Sequence, residues 1–307
     1  MKILLTGKPL KNKAHGAEVG VRYALENLGH EVDIFDYDKS KYIDTNTNYD
    51  IVLSMGAGIP PKMLKENHNL TTVLKNNISV LWNSEPIRLS NYYKRVNSQK
   101  HLYDIHATFD ASEVKIYTAM GCNAMFLPQA GHPLWYRPLD IKPKKFACFV
   151  GSIGGKWENR VHFLNRVKDI IPSKELTITS TFDAQQVNEI YNTHYLVLNL
   201  GLYHKELGPP TRMASFGYQQ RIFEAYCSCV PCFTNVPNSQ DEETLDLFTP
   251  NKDIILYNNE TMEPMLKYYY NNREKLLEIK ENMAKNKGCN TYTQRLGLFF
   301  EKLKGIV

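Results

Sequence analysis

A single glutamate carries the strongest chemical signal in this sequence. In the run Gln219-Gln220-Arg221-Ile222-Phe223-Glu224-Ala225-Tyr226-Cys227, Glu224 stands among apolar residues that suit a buried helix. A buried carboxylate is costly unless something satisfies it. Two partners fit: a salt bridge or backbone cap within the protein, or the two hydroxyls of a bound ribose. A second cluster, Gly151-Ser152-Ile153-Gly154-Gly155-Lys156 with Arg160 beyond it, follows an apolar run. Small residues between a strand and a helix let backbone N–H groups approach phosphate oxygens, although the same loop also serves as a plain tight turn. Lys156, Arg160 and Arg221 are the cations that could neutralise a phosphate group.

These residues need a scaffold, and the apolar pattern supplies one. Short β-rich runs alternate with helical patterns from the first residue, the signature of parallel sheets with crossover helices. Strands are expected at Ile3 to Thr6, Val32 to Phe35, Ile51 to Met55, Ile78 to Trp82, His106 to Phe109 and Met125 to Leu127. After Pro133, Pro138 and Pro143, a stiff polar stretch that reads as a linker, a second series follows. Its strands are Phe146 to Val150, Leu176 to Thr179, Leu196 to Leu200, Pro231 to Thr234 and Ile254 to Tyr257, with helices near 158–170, 184–192 and 219–229. The fold class is therefore α/β, with two Rossmann-like domains whose parallel sheets face an interdomain cleft. The expected boundaries are 1–141, 142–287 and a helical tail, 288–307, packing back on the first domain. Ligands of such sheets bind beyond the carboxyl ends of the strands.

Composition narrows the class further. The 307 residues carry a net charge of +5, enough to support phosphate binding but too little to demand a nucleic acid. No stretch approaches the roughly 20 apolar residues that span a bilayer, and the start turns polar too soon for a signal peptide, so a cytoplasmic protein without integral membrane association is expected. Cys227, Cys229 and Cys232 read as reduced core thiols, because no histidine or fourth cysteine lies at zinc-ligand spacing.

The run RIFEAYCSCVPCFTN resembles the R-x-FEA-x-A-x-G-x-P-x-x-T segment of family 4-type GT-B glycosyltransferases (glycosyl transferases group 1), especially the branch similar to the spore maturation protein CgeB. Phe149-Val150-Gly151-Ser152 with Asn159-Arg160, Ile190-Tyr191-Asn192 with Leu196 to Leu200, Phe109 to Val114, and Leu127 to Ala130 with Tyr136-Arg137-Pro138 resemble further segments of that branch, in the same order. The resemblance implies a glycosyltransferase that takes a sugar from a nucleotide diphosphate sugar, with a UDP-sugar as the expected donor. Glu224 would hold the ribose. Gly151, Ser152, Gly154 and Gly155 would surround the diphosphate, and Lys156, Arg160 and Arg221 would stabilise the charge on the departing phosphate.

Transfer is expected to retain anomeric configuration and to need neither metal nor cofactor. The loop from Gly208 to Gly217, including Arg212, Phe216 and Gly217, would face the sugar; Arg212 pairs with the diphosphate or is solvated. Three positions depart from the family. Phe216 stands where many relatives carry a second glutamate, Ser152 where many have arginine, and Cys229 at the usual helix-ending glycine, which suggests a different turn. An inverting enzyme would need a base, for which Glu85, Asp110 and His132 are candidates.

The first domain should select the acceptor. Lys8, Lys11, Lys13 and His15, and Trp82, Asn83, Glu85 and Arg88, line a groove there or form ordinary surface. The expected acceptor is a glycan or small molecule. One alternative is a hydroxymethylated base in DNA, which would have to be flipped out of the duplex; another is a non-catalytic nucleotide-sugar binding protein or a sugar epimerase.

Overall fold

A computed structural model describes residues 1–8, 16–40, 42–153, 158–181, 183–201, 217–236, 242–286 and 288–304. The chain forms two compact units, Met1–Gln129 with Tyr292–Val307 and Ala130–Thr291.

In the first unit, β1 (Lys2–Gly7), β2 (Glu31–Asp36), β3 (Ile51–Met55), β4 (Ile78–Asn83), β5 (Ile105–Thr108) and β6 (Ala124–Phe126) form one sheet in the order β2-β1-β3-β4-β5-β6. All its pairings are parallel. The crossover helices are α1 (Ala17–Asn27), α2 (Pro61–Glu66), α3 (His68–Asn76), α4 (Ser90–Gln99) and α5 (Ala111–Ala119). β3 is buried along its whole length, because a parallel sheet covered on both faces hides alternate residues equally. Gly29 stops α1 in the left-handed region at φ +78°, with the His30 N–H returning to the Leu25 carbonyl at 3.1 Å.

The second unit contains β7 (Lys145–Val150), β8 (Leu176–Thr179), β9 (His194–Leu198), β10 (Cys232–Asn235) and β11 (Ile255–Tyr257), again all parallel, in the order β11-β10-β9-β7-β8. Its helices are α6 (Glu158–Lys168), α7 (Ala184–Asn192), α8 (Gln220–Cys227), α9 (Glu242–Leu245), α10 (Met262–Asn271) and α11 (Arg273–Lys285). β7 lies between β8 and β9, so the chain leaves it toward one side and later returns to the other. The carboxyl ends of β7 and β9 therefore flank a topological switch point, the place where such sheets take ligands. The chain then rejoins the first unit as α12 (Tyr292–Lys304), which packs on α1; His30 and Phe300 meet edge to face at 5.0 Å.

The stretch 133–145 behaves differently from the expected linker. Tyr136 is buried in the core of the second unit. The Arg137 N–H donates to Asn188 Oδ1 at 3.1 Å, and the Leu139 N–H donates to Asn192 Oδ1 at 2.9 Å. Two asparagines one turn apart on α7 thus hold the proline-rich segment, satisfying backbone groups that packing removes from water. The second unit accordingly begins at Ala130, inside the span 1–141 expected for the first domain.

Candidate functional site

β7 delivers the chain to Gly151 at the switch point, where the Gly151 N–H is held by the Thr179 carbonyl at 2.8 Å. A side chain at this glycine would crowd Arg221. A Cβ there would come within 3.1 to 3.3 Å of the Arg221 guanidinium, tighter than ordinary contact. Arg160 approaches from the first turn of α6, and its Nη1 donates to the Ser152 carbonyl at 2.9 Å. The guanidinium carbons of both arginines lie 5.9 Å from the centre of the Phe149 ring.

Arg160 is only 6 % exposed. Burial, and secondarily the Arg221 charge, pushes its pKa down to about 10, so it remains a cation at neutral pH. Two neighbouring guanidinium groups of like charge, Arg160 buried and Arg221 partly buried, form a site that an anion would relieve.

Arg221 and Glu224 project from α8, one turn apart. α8 ends in a Schellman turn, with the Cys229 N–H bonded to the Tyr226 carbonyl at 2.9 Å and the Val230 N–H to the Ala225 carbonyl at 3.0 Å. Cys229 occupies its left-handed position at φ +51°. The turn is thus the one that glycine usually makes, contrary to the different turn expected from the substitution. Ser228 Oγ donates to Asn188 Oδ1 at 2.8 Å, so the amide that anchors the 133–145 stretch also anchors α8. Gly131 packs on the same helix; a Cβ there would run into Cys227 Sγ and lie 2.6 Å from the Phe223 carbonyl oxygen. Burial raises the Cys227 and Cys232 thiols to about 12, which suits core packing.

Glu224 is 4 % exposed. Tyr136 donates its phenolic hydrogen to this carboxylate, and burial together with the Glu224 charge raises the Tyr136 pKa. Tyr191, fully buried, also senses the Glu224 charge. An aromatic hydroxyl is thus one of the groups that meet the carboxylate. Phe149, Tyr136 and Tyr191 were missed as site residues. Tyr136 and Tyr191 do stand in the quoted segments, but no local rule pairs a tyrosine with a glutamate 88 residues away.

Of the residues expected at the site, the structure brings together Gly151, Ser152, Arg160 and Arg221, with Glu224 one turn further along α8. Gly217, buried at φ +49°, comes just before α8. Lys156, Gly154, Gly155, Arg212 and Phe216 lie outside the described residues, as do Lys11, Lys13 and His15.

His132 is buried against Trp135, with ring centres 4.4 Å apart and planes tilted by 31°; burial lowers its pKa to about 4, leaving a neutral ring. Within the first unit, Glu85 is half-buried and accepts from the Tyr92 hydroxyl. Asp110 is fully buried and caps α5, accepting from the Ser112 N–H at 2.9 Å and its Oγ at 2.7 Å.

Trp82 and Asn83, expected to line a groove or sit at the surface, are core residues. Trp82 is 1 % exposed, donates from Nε1 to the Leu127 carbonyl at 2.9 Å and meets Tyr292 edge-on at 6.0 Å; Asn83 donates to the Tyr117 hydroxyl at 2.7 Å. Lys8 pairs with Asp38 at 2.9 Å on the rim of a cavity of about 710 Å³ that Tyr37, Lys39, Lys62 and Asn67 also line.

Two parallel sheets with helices on their faces are the GT-B architecture of glycosyltransferases, and solved structures share it along nearly the whole chain. A sucrose-phosphate synthase from Thermosynechococcus elongatus superposes with a TM-score of 0.65 at 10% identity, covering 100% of both chains. Anabaena Alr3699/HepE, solved in complex with UDP-glucose, gives 0.64 at 12% identity over 99% of this chain and 100% of that one. An α-glucosyltransferase solved in complex with UDP and a 13-mer DNA gives 0.59 at 9% identity over 95% and 94%. No curated protein sequence matches this chain. The glycosyl transferase-like family profile matches residues 134–300, more than half of the chain. The protein belongs to that family and is a glycosyltransferase of GT-B fold. Among the described residues, no helix is long and apolar enough to cross a membrane.

Proposed function

We propose that the second unit binds a nucleotide diphosphate sugar, UDP-linked in the first instance, and that the enzyme transfers the sugar to a hydroxyl of a glycan or small molecule. The observation that carries this reading is the pair of arginines converging on Phe149 beside the glycine at the end of β7. Breaking the bond between sugar and diphosphate builds negative charge on the leaving phosphate, and fixed cations in a desolvated crevice stabilise that charge without having to reorganise. Arg160 and Arg221 would play this part. Lys156 joins them in the proposal on sequence grounds. Glu224 would accept the ribose hydroxyls, with Tyr136 fixing the orientation of its carboxylate.

With guanidinium groups meeting the phosphate, transfer would proceed without a metal. The departing phosphate would take the acceptor's proton on the face it leaves, so configuration would be retained. We place the enzyme in the cytoplasm, where its six free cysteines stay reduced. Its resemblance to the CgeB branch makes an envelope or spore-coat glycan the first acceptor to try.

The test is release of UDP from UDP-sugars, followed by chromatography with and without acceptors, in buffer with chelator. Turnover in chelator and a retained anomeric signal by NMR support the scheme; loss of turnover restored by manganese, or an inverted signal, contradicts those parts of it. Duplex DNA carrying hydroxymethylated bases belongs in the acceptor panel. Binding without any hydrolysis or transfer would mark a sensor instead.

A further inference from the structure

One side chain beside the arginines is left unexplained by this reading. Asn159, the second residue of α6, is 4 % exposed, yet neither its amide nitrogen nor its carbonyl oxygen has a hydrogen-bond partner among the described residues. Buried carboxamides almost always find partners, so one orphaned at both ends marks a group that something else must complete.

Its place in the fold says where the partner would come from. Phe163, one turn further along α6, is fully buried and stacks on Tyr257 with ring centres 5.8 Å apart and planes 3° apart. Residues four apart share a helix face, so Asn159 continues the same sheet-facing side. Helical side chains lean toward their own N-terminus. The carboxamide is therefore carried past the ring layer toward the carboxyl ends of the strands, on the turn where Arg160 reaches back to Ser152. The Tyr257 hydroxyl donates to the Asn199 carbonyl at 2.9 Å just beyond β9, and Asn199 Oδ1 is likewise buried without a partner. Carboxamide atoms without a partner among the described residues thus occur on both sides of the switch point, although the Asn199 nitrogen itself donates to Thr234 Oγ1 at 2.9 Å.

We infer that Asn159 is a donor-binding residue, completing its hydrogen bonds only when the nucleotide sugar is seated. A carboxamide both donates and accepts. A phosphate oxygen would take its N–H, and a sugar hydroxyl would supply the proton for its carbonyl oxygen, a combination that a glycosyl diphosphate offers and inorganic phosphate does not. The inference rests on the proposal that the donor binds in this unit.

The test is calorimetric titration of UDP-glucose, or of whichever of UDP-, GDP-, ADP- and TDP-glucose binds tightest, into wild type, Asn159→Ala and Asn159→Asp, with the melting temperature of each apo protein alongside. Asn159→Ala should bind at least tenfold more weakly while melting no lower than wild type, since it removes an unsatisfied group. Asn159→Asp, the same shape with a negative charge, should bind more weakly still, and it keeps the test open should the alanine variant fold poorly. Unchanged affinity in both variants, with wild type binding normally, overturns the role of Asn159 alone. No binding of any nucleotide sugar by wild type overturns the donor reading and this inference with it.

Discussion

Arg160 and Arg221 come from helices some sixty residues apart in sequence and place their guanidinium carbons at the same distance, 5.9 Å, from the Phe149 ring centre. Like charges so placed oppose one another in the empty protein, and Arg221 accordingly contributes to the lowered pKa of Arg160.

The first prediction follows from that opposition. Arg221→Gln should leave the apo protein at least as stable as wild type while reducing its thermal stabilisation by UDP. A ligand at one hundred times its dissociation constant stabilises by about 2.7 kcal/mol, so at the same concentration a tenfold weaker complex loses about half of the melting-temperature shift and a hundredfold weaker one loses most of it. A full shift in the variant would show that UDP does not meet this arginine.

The second concerns Tyr136 and Glu224. Tyr136→Phe removes a hydroxyl that donates to a carboxylate 4 % exposed. Stripping a partner from a buried charged group costs about 1 to 3 kcal/mol or more, readable as a lower urea midpoint at neutral pH. Glu224→Gln in the Tyr136→Phe background should recover part of that loss, because it removes the stranded charge. An unchanged midpoint for Tyr136→Phe would mean that the carboxylate is held chiefly by other groups.

Glu113 supplies a pH dependence. It is fully buried in the first unit, where burial and then the Asp110 charge raise its pKa to about 7, against bonds from Thr108 and the Ile87 backbone and the charge of Arg88. An acid whose folded pKa exceeds its unfolded value binds more protons when folded, so its contribution to stability is complete below the unfolded value of 4.5 and fades as pH rises through about 7. His106 and His132, both lowered to about 4 by burial, act oppositely between 4 and 6.5. The measurement is therefore a difference. Relative to Glu113→Gln, wild type should lose roughly 3 kcal/mol between pH 4.5 and 8; a flat difference profile would contradict the raised pKa.

Much of the fold was legible because parallel strands buried on both faces are written as continuous apolar runs. The expected runs Ile51 to Met55 and Leu176 to Thr179 have the observed ends, and the expected Leu196 to Leu200 starts two residues late because His194 and Tyr195 do not look like core. The basic crevice was legible through Gly151, Arg160 and Arg221, whose types and order survive in the sequence. What escaped depends on contacts distant in the chain. Asn188 looks like an exposed polar residue on α7 until its amide is seen holding both Arg137 and Ser228. Trp82 looks like surface because Asn83, Ser84 and Glu85 follow it, yet α12 returns more than two hundred residues later to bring Tyr292 against it.

The turn that ends α8 and the glycine against its side give the fourth prediction. Cys229 already tolerates φ +51°, but a β-branched residue there adds steric cost, so Cys229→Val should destabilise by about 1 to 2 kcal/mol. Gly131→Ala should cost more, since its Cβ would meet the helix backbone at the Phe223 carbonyl, which cannot swing away as a flexible side chain could. It should also weaken UDP binding by shifting α8. Equal stability of Gly131→Ala and wild type in urea denaturation would rule out that close approach.

The most direct measurement of the central claim is calorimetric titration of UDP and UDP-glucose into wild type and into the double variant Arg160→Gln/Arg221→Gln, with folding of both checked by circular dichroism. The account predicts saturable one-to-one binding by wild type and a loss of at least a hundredfold in the folded double variant. Equal affinities would contradict it, because the diphosphate would then be held somewhere other than the crevice between β7 and β9.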